Sequence, residues 1–322
     1  MNGLVVRISL ACAVALAANP CVAQTYPNHQ IELMVPFVAG GTTDTVARLI
    51  AQRLSDRWGQ PAIVNNRPGG GSSIGTGAVA KATPDGHTLL VTTIAFAINA
   101  SLQKQPYDAV KDFAPITEIA SIPLMLVVHN SLPVTTVKEF IEYSKAQPAG
   151  LDYATSGAGT STHLAAEMFK TMTGANLVHV PFKGNAEVLN ALLGGHVKVH
   201  FALTASTLQH VRSGALRVLA VTTEKRLPEL PDVPTIAELG YPGYEISSWQ
   251  GVFAPAGTPK DIIDKLNGEI VAMLQTPGVK ARITREGADP VGSSPEKWSA
   301  RFRNEVEKWA KVAKSAGLSA AN

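Results

Sequence analysis

Cysteine is nearly absent from this chain, and the position of the few it has is informative. The two, Cys12 and Cys21, both fall in the first two dozen residues. That opening reads as a targeting segment. Arg7 supplies the charge, residues 8–18 form a short apolar run, and Cys21-Val22-Ala23 gives a small-x-small pattern ahead of Gln24. Residues 1–23 are therefore expected to be a signal peptide cleaved near Ala23. The chain from Gln24 onward holds no cysteine, which excludes a disulfide framework and a thiol nucleophile. Long apolar runs are also missing. No later stretch approaches the ~18 residues that a membrane-spanning helix needs. With 322 residues, 45% of them hydrophobic, the chain can instead build a large core without covalent staples. A surplus of one charge is lacking too: Lys plus Arg number 28 against 25 Asp plus Glu, with no basic run, which argues against nucleic acid as a partner. The eight histidines form no H-E-x-x-H pair, so neither a metal site nor a cofactor is expected.

What the chain does have is a strand, a small-residue turn and a helix, IELMVPFVAGGTTDTVARLIAQRL over 31–54. Ile31, Leu33 and Val35 alternate as in a strand, and Pro36 and Gly40-Gly41 break it. Thr42, Thr43 and Asp44 suit a helix start, after which Val46, Ala47, Ile50 and Leu54 recur on one face. A glycine turn feeding a helix N-terminus leaves backbone N–H groups unpaired at the positive end of the peptide dipoles, a place suited to an anion. An ordinary capped βα turn gives the same pattern.

The pattern recurs. Strands are expected at 62–64 and 89–93, with a helix between them over 72–81, giving a βαβαβ run with a parallel sheet. From Leu124 the rhythm restarts with strands at 124–129 and 151–156, a loop at Gly157-Ala158-Gly159-Thr160, and a helix from Thr162. Three more strands follow in LVHVPF, VKVHFAL and LRVLAVTT. Two successive runs predict two α/β lobes rather than one very wide sheet. The second glycine turn, Ser156 to His163, would then face the first across a crevice at the carboxyl ends of the strands. The C-terminal stripes Ile262, Ile263, Leu266, Ile270, Met273 and Trp298, Phe302, Val306, Trp309 read as packing. Gly71-Ser72-Ser73-Ile74-Gly75 fits a nucleophile elbow by pattern, but no strand directly precedes it. Arg67 could pair a carboxylate or tie down its Asn-rich turn.

The blocks VPFVAGGTTDTVAR, NNRPGGGSSIGTGAVAKATPDGHTLL, YATSGAGTSTHLAAE, HVPFKGNAEVLNALLGGHV, LPDVPTIAELGYPGYE and WQGVFAPAGTP together resemble the Bug-type extracytoplasmic receptors of tripartite tricarboxylate transporters, in the family's order. The resemblance implies an α/β, two-lobe type II periplasmic binding protein, a Venus flytrap. Its first lobe would comprise 24–123 plus 247–322, and its second 124–246. It further implies a monomeric, non-enzymatic periplasmic receptor. This would capture a small organic carboxylate, a di- or tricarboxylate or an aromatic acid, for membrane permease subunits. Carried over by position, the ligand contacts are Phe37, Gly40, Gly41, Thr42 and Asp44 in one lobe and Ser156, Gly159, Thr160 and His163 in the other. The chain departs from the family where relatives often carry acids, at Asn190, Lys198 and Ala202. It also has Phe182 for a usual Tyr, and Ala100 and Gln103 for a usual Pro and Tyr. Ala202, at the carboxyl end of its strand, is expected to line the cleft and to disfavour a ligand amine. A secreted hydrolase built on Ser73, or a receptor that signals through a partner protein, are the alternatives.

Overall fold

The computed structural model describes residues 26–285, 287–315 and 317. The expected signal peptide and both cysteines lie outside them. In the first lobe, β1 (Ile31–Val35) lies between β2 (Ala62–Asn66) and β3 (Thr88–Thr93), all parallel. Helices α1 (Thr42–Trp58), α2 (Ser73–Ala80) and α3 (Ala95–Leu102) fill the connections. The second lobe repeats the scheme. Strand β5 (Leu151–Thr155) pairs in parallel with β6 (Leu177–Pro181) and β7 (Val199–Leu203). Helices α4 (Val137–Lys145), α5 (Ser161–Thr173), α6 (Asn185–Leu193) and α7 (Thr204–Arg212) accompany them, followed by β8 (Leu216–Val221).

Two passages of the chain tie the lobes together, one within a long strand and one just ahead of Ser247. The 17-residue β4 (Phe113–His129) pairs antiparallel with β9 (Ser247–Pro255) as far as Pro123, then takes β7 as its neighbour from Leu124. Thr222, fully buried, fastens this crossing: its hydroxyl donates to the Ile246 carbonyl (2.7 Å) and lies 3.0 Å from the Leu124 carbonyl. The chain finishes on the first lobe with α8 (Lys260–Leu274), α9 (Pro277–Arg285), the short β10 (Asp289–Pro290) and α10 (Pro295–Ser315).

Each sheet is covered on both faces, as buried parallel strands require. Ile31, Leu33 and Val35 of β1 meet Val46, Ile50 and Leu54 of α1 and Ile263, Leu266 and Ile270 of α8. On the other face the C-terminal aromatic stripe is core, as its spacing suggested. Trp298 and Phe302 pack edge-on against Trp249 and Phe253, and Phe302 stacks on Phe96 at 5.0 Å. Fully buried aromatic side chains contribute about 1.5–3 kcal/mol each. Farther along α10, Trp309 donates from Nε1 to the buried Glu305 (2.8 Å), and Lys308 pairs with Glu245 (3.2 Å) in the segment leading to β9.

Candidate ligand site

The first turn is built around a buried carboxylate. Gly40 takes a left-handed φ of 87°, which favours glycine. Its N–H donates to Asp44 Oδ2 at 3.0 Å. Arg48 Nε donates to the same oxygen at 2.9 Å, and Asn66 Nδ2 ties the turn by donating to the Phe37 carbonyl at 3.2 Å. Burial opposes the charge of Asp44, yet Arg48, the Gly40 amide and Asn66 together hold its pKa below the usual carboxylate range. Gly41, the N-cap, sits at φ −78°, where any residue fits. The amides of Gly41, Thr42 and Thr43 have no acceptor among the described residues, and Gly40, Gly41 and Thr42 are exposed. Phe37 is half-buried beside them.

The second turn copies this design with different atoms. Gly159 has φ 74°, and its N–H donates to His163 Nδ1 at 3.1 Å. That bond requires Nδ1 to be unprotonated, and burial, with His179 stacked at 4.0 Å, pushes the His163 pKa down to about 4. Around it runs a hydroxyl network: Thr160 Oγ1 donates to the Gly157 carbonyl (2.8 Å), and Thr162 Oγ1 contacts Ser156 Oγ (3.2 Å) and Thr160 Oγ1 (2.9 Å). The Ser161 and Thr162 amides, at the start of α5, have no acceptor among the described residues. Beneath the turn, Glu167 accepts from Tyr153 (2.6 Å) and Lys170 (2.8 Å).

A run of contacts joins the two turns. Gln250 Nε2 donates to Thr42 Oγ1 at 3.1 Å. Gln250 on β9 pairs with Thr93, after which α3 begins. Asn99 of α3 donates to the Gly71 carbonyl, and a Cβ placed on Gly159 would lie 3.0 Å from Leu102 Cδ1 and 4.0 Å from Asn99 Oδ1. The turn of the second lobe therefore abuts α3 of the first. Asn99 and Gln250 escaped the sequence reading. Their one signal is a polar residue buried in an apolar segment. Arg67, exposed just beyond β2, makes no side-chain bond among the described residues, so it does not tie down its own turn.

Ala202 departs from expectation. It is fully buried, in register with Met125 and packed with Val127, Ala154, Val188 and Leu192 on the face that α6 covers. His200, two residues earlier, is buried as well and holds the Ala154 carbonyl at 2.9 Å. This strand face belongs to the core, so Ala202 lines no cleft here, and the inference about a ligand amine falls with it. Ser73 has no histidine or carboxylate hydrogen-bond partner among the described residues, and it opens α2 after a short 3-10 turn rather than a strand. A cavity of about 770 Å³ elsewhere on the second lobe, walled by Val137, Ile141, Val233 and Tyr241, touches neither turn. The helix N-terminus beside it already carries the Thr136–Glu139 capping box, which engages the Thr136 and Glu139 amides within the protein.

Two α/β lobes joined by long crossing strands, each presenting a glycine turn and a helix N-terminus, define a two-lobe solute-binding receptor of the type II periplasmic kind. Solved structures agree. The R. palustris protein Rpa4515, solved with adipate, is 41% identical with a TM-score of 0.76, over 91% of this chain and 99% of that one. MatC from Rhodopseudomonas palustris, with bound malate, is 32% identical with a TM-score of 0.73, over 89% and 99%. The chain belongs to the tripartite tricarboxylate transporter family receptors, whose model matches residues 46–318. Protein BugT of Bordetella pertussis is 38% identical over 320 residues, 98% of each chain.

Proposed function

We propose that this receptor is exported with cleavage near Ala23, acts as a monomer without catalysis, and closes over a small organic carboxylate that it delivers to membrane permease subunits. The observation that carries this reading is the pair of unpaired helix N-termini, one per lobe, beside turns shaped by Asp44 and His163. Aligned amides and helix dipoles favour carboxylate oxygens over cations or neutral sugars. In this reading Gly41 and Thr42 hold one carboxylate and Ser156, Thr160 and the Ser161 amide the other. Phe37 walls the chain between them, and Gly40, Asp44, Gly159 and His163 set the backbone. Arg67 is free to take a further carboxylate bidentately. The adipate and malate seen on relatives support a dicarboxylate. The lobes divide at 123/124 and 246/247, a reading supported by the change of partner along β4.

A thermal-shift screen over aliphatic and aromatic carboxylates, with amines and sugars alongside, tests the reading. A ligand at a thousand times its Kd stabilises by ~4 kcal/mol, a melting shift of roughly 8 °C or more. Shifts from amines or sugars alone, with carboxylates silent, overturn it.

A further inference from the structure

At the end of the first lobe opposite the glycine turns, two histidines and an aspartate from distant parts of the chain come together. His29 precedes β1, and Asp85 and His87 lie on the turn before β3, pinned to β1 by the Glu32 N–H donating to the His87 carbonyl at 2.7 Å. One nitrogen or oxygen atom from each of the three side chains lies within 4.8 Å of the others. His87 is only 7% exposed, and neither of its ring nitrogens has a hydrogen-bond partner. Asp85 Oδ1 sits 3.3 Å from His87 Nδ1, but it is engaged by the His87 backbone N–H at 2.9 Å. Tyr26 walls the ring edge-on at 5.0 Å.

A buried imidazole with both nitrogens unpaired is costly, because the polar atoms lose water and gain nothing. Packing alone does not remove that cost. The His29 ring stacks on His87 at 3.5 Å and 12°, which covers the ring face and leaves its nitrogens as they were. An ion would satisfy the one that carries the lone pair. We propose that His29, Asp85 and His87 form a site for a divalent transition-metal ion of the zinc type. Two imidazoles and a carboxylate without thiolate suit Zn²⁺, Ni²⁺ or Cu²⁺, with a fourth position left to water. Parallel stacked rings cannot aim both lone pairs at one ion, so binding requires His29, which is on the surface, to swing about its side-chain torsions. The bound ion would clasp the segment before β1 to the base of the lobe, apart from the ligand turns. Sequence spacing hides such a site, since the fold alone brings the donors together. One H-x-x-x-H pair, His196 and His200, escaped the sequence reading, which counted none; it spans the start of β7, and its second member is committed to the Ala154 carbonyl.

Calorimetric titration of ZnCl2 into the full exported chain, purified without a histidine tag, tests this. One ion per chain is expected, with His29→Ala and His87→Ala each weakening it at least tenfold and Asp85→Asn weakening it less. A hundredfold excess over Kd should raise Tm by about 5 °C. His29 is exposed, so its variant stays folded and decides the matter even if His87→Ala does not fold. Absence of binding, or binding that His29→Ala leaves unchanged, overturns the proposal.

Discussion

Asp44 and His163 occupy the same place in different lobes. Each is the third residue of its helix, and each accepts the N–H of a left-handed glycine four positions earlier, Gly40 at 3.0 Å and Gly159 at 3.1 Å. The relationship reassigns the two glycine amides, which are committed to the protein and not open to a ligand. It also separates the lobes chemically, since one acceptor is a carboxylate neutralised by Arg48 and the other an uncharged imidazole.

Removing either acceptor should loosen its turn without unfolding the chain. Asp44→Ala loses a charge-assisted bond worth about 1.5–3 kcal/mol, and His163→Ala loses a neutral one of about 1 kcal/mol. We expect Asp44→Ala to weaken ligand binding tenfold or more and His163→Ala roughly fivefold, both by calorimetry. Unchanged affinity in both variants would mean that turn geometry does not matter to binding.

Gly159 and Gly41 should respond differently to the same methyl group. Gly159→Ala combines a φ of 74° with a Cβ 3.0 Å from Leu102 Cδ1 across the lobes. Gly41→Ala adds a Cβ with nothing closer than 3.9 Å, at an ordinary φ. The first should lose binding by more than tenfold and the second should keep its Tm. Equal effects on affinity from both would remove the inter-lobe contact as the cause.

Acid should destabilise the protein before ordinary carboxylates titrate. Burial pushes His163 and His200 down to about 4 from an ordinary 6.5. As pH falls below 6.5 the unfolded chain takes up protons that the folded one refuses, so the stability present above 6.5 is lost on the way to 4. Glu118 acts in the opposite sense. Burial raises it to about 7 against the pull of Arg301, so its contribution is present below 4.5 and lost as pH rises through 7. Two histidines outweigh one carboxyl, and Tm should fall from pH 6.5 to 4.5. Glu118→Gln should steepen that fall. A flat profile contradicts the assignment.

Much of the fold was legible because buried parallel strands and amphipathic helices leave strong local patterns. Both glycine turns, β1, β3, β5 to β8 and the C-terminal stripes could all be read from spacing. The crossing strands were not. The first half of β4 carries Pro115, Thr117 and Glu118, with register shifts on either side, so it breaks the alternation that marks a strand. Its polar residues find partners far away in sequence, Glu118 Oε2 in Arg301 (3.2 Å) and Thr117 in the Ser293 carbonyl (2.8 Å). Helix α3 was missed because AFAINASL is apolar nearly all round, without a polar face to give it a period. Ala202 was misplaced because a period of two identifies a shared face but not the layer it meets.

Ala202 now supports a different prediction. An aspartate there would enter the apolar cluster of Met125, Val127 and Val188 with no cation beside it. Ala202→Asp should cost about 3 kcal/mol or more in stability, as a buried unpaired charge does. A variant with unchanged Tm would restore Ala202 to the cleft.

Thr222 supports the last prediction, because both crossings meet on it, one at Leu124 and the other at Ile246. Its hydroxyl donates to the Ile246 carbonyl, lies 3.0 Å from the Leu124 carbonyl and accepts the Leu124 N–H at 3.2 Å, all in full burial. Valine keeps the shape but strips the oxygen, leaving the Ile246 carbonyl without this donor. Backbone pairing of Thr222 N–H with Leu124 and of Ile246 N–H with Thr222, each at 3.0 Å, survives the change. The lobes should therefore stay folded while the crossing loosens. A buried acceptor left unpaired costs about 1–3 kcal/mol, and at 2–4 °C per kcal/mol for a chain of this size Tm should drop by roughly 2–10 °C. Affinity should fall as well if the crossing sets how the lobes close. Thr222→Ser, which keeps the hydroxyl and loses only a methyl, should recover most of the affinity. If valine keeps the wild-type affinity and serine loses it, the hydroxyl does not fasten the crossing and the methyl packing does.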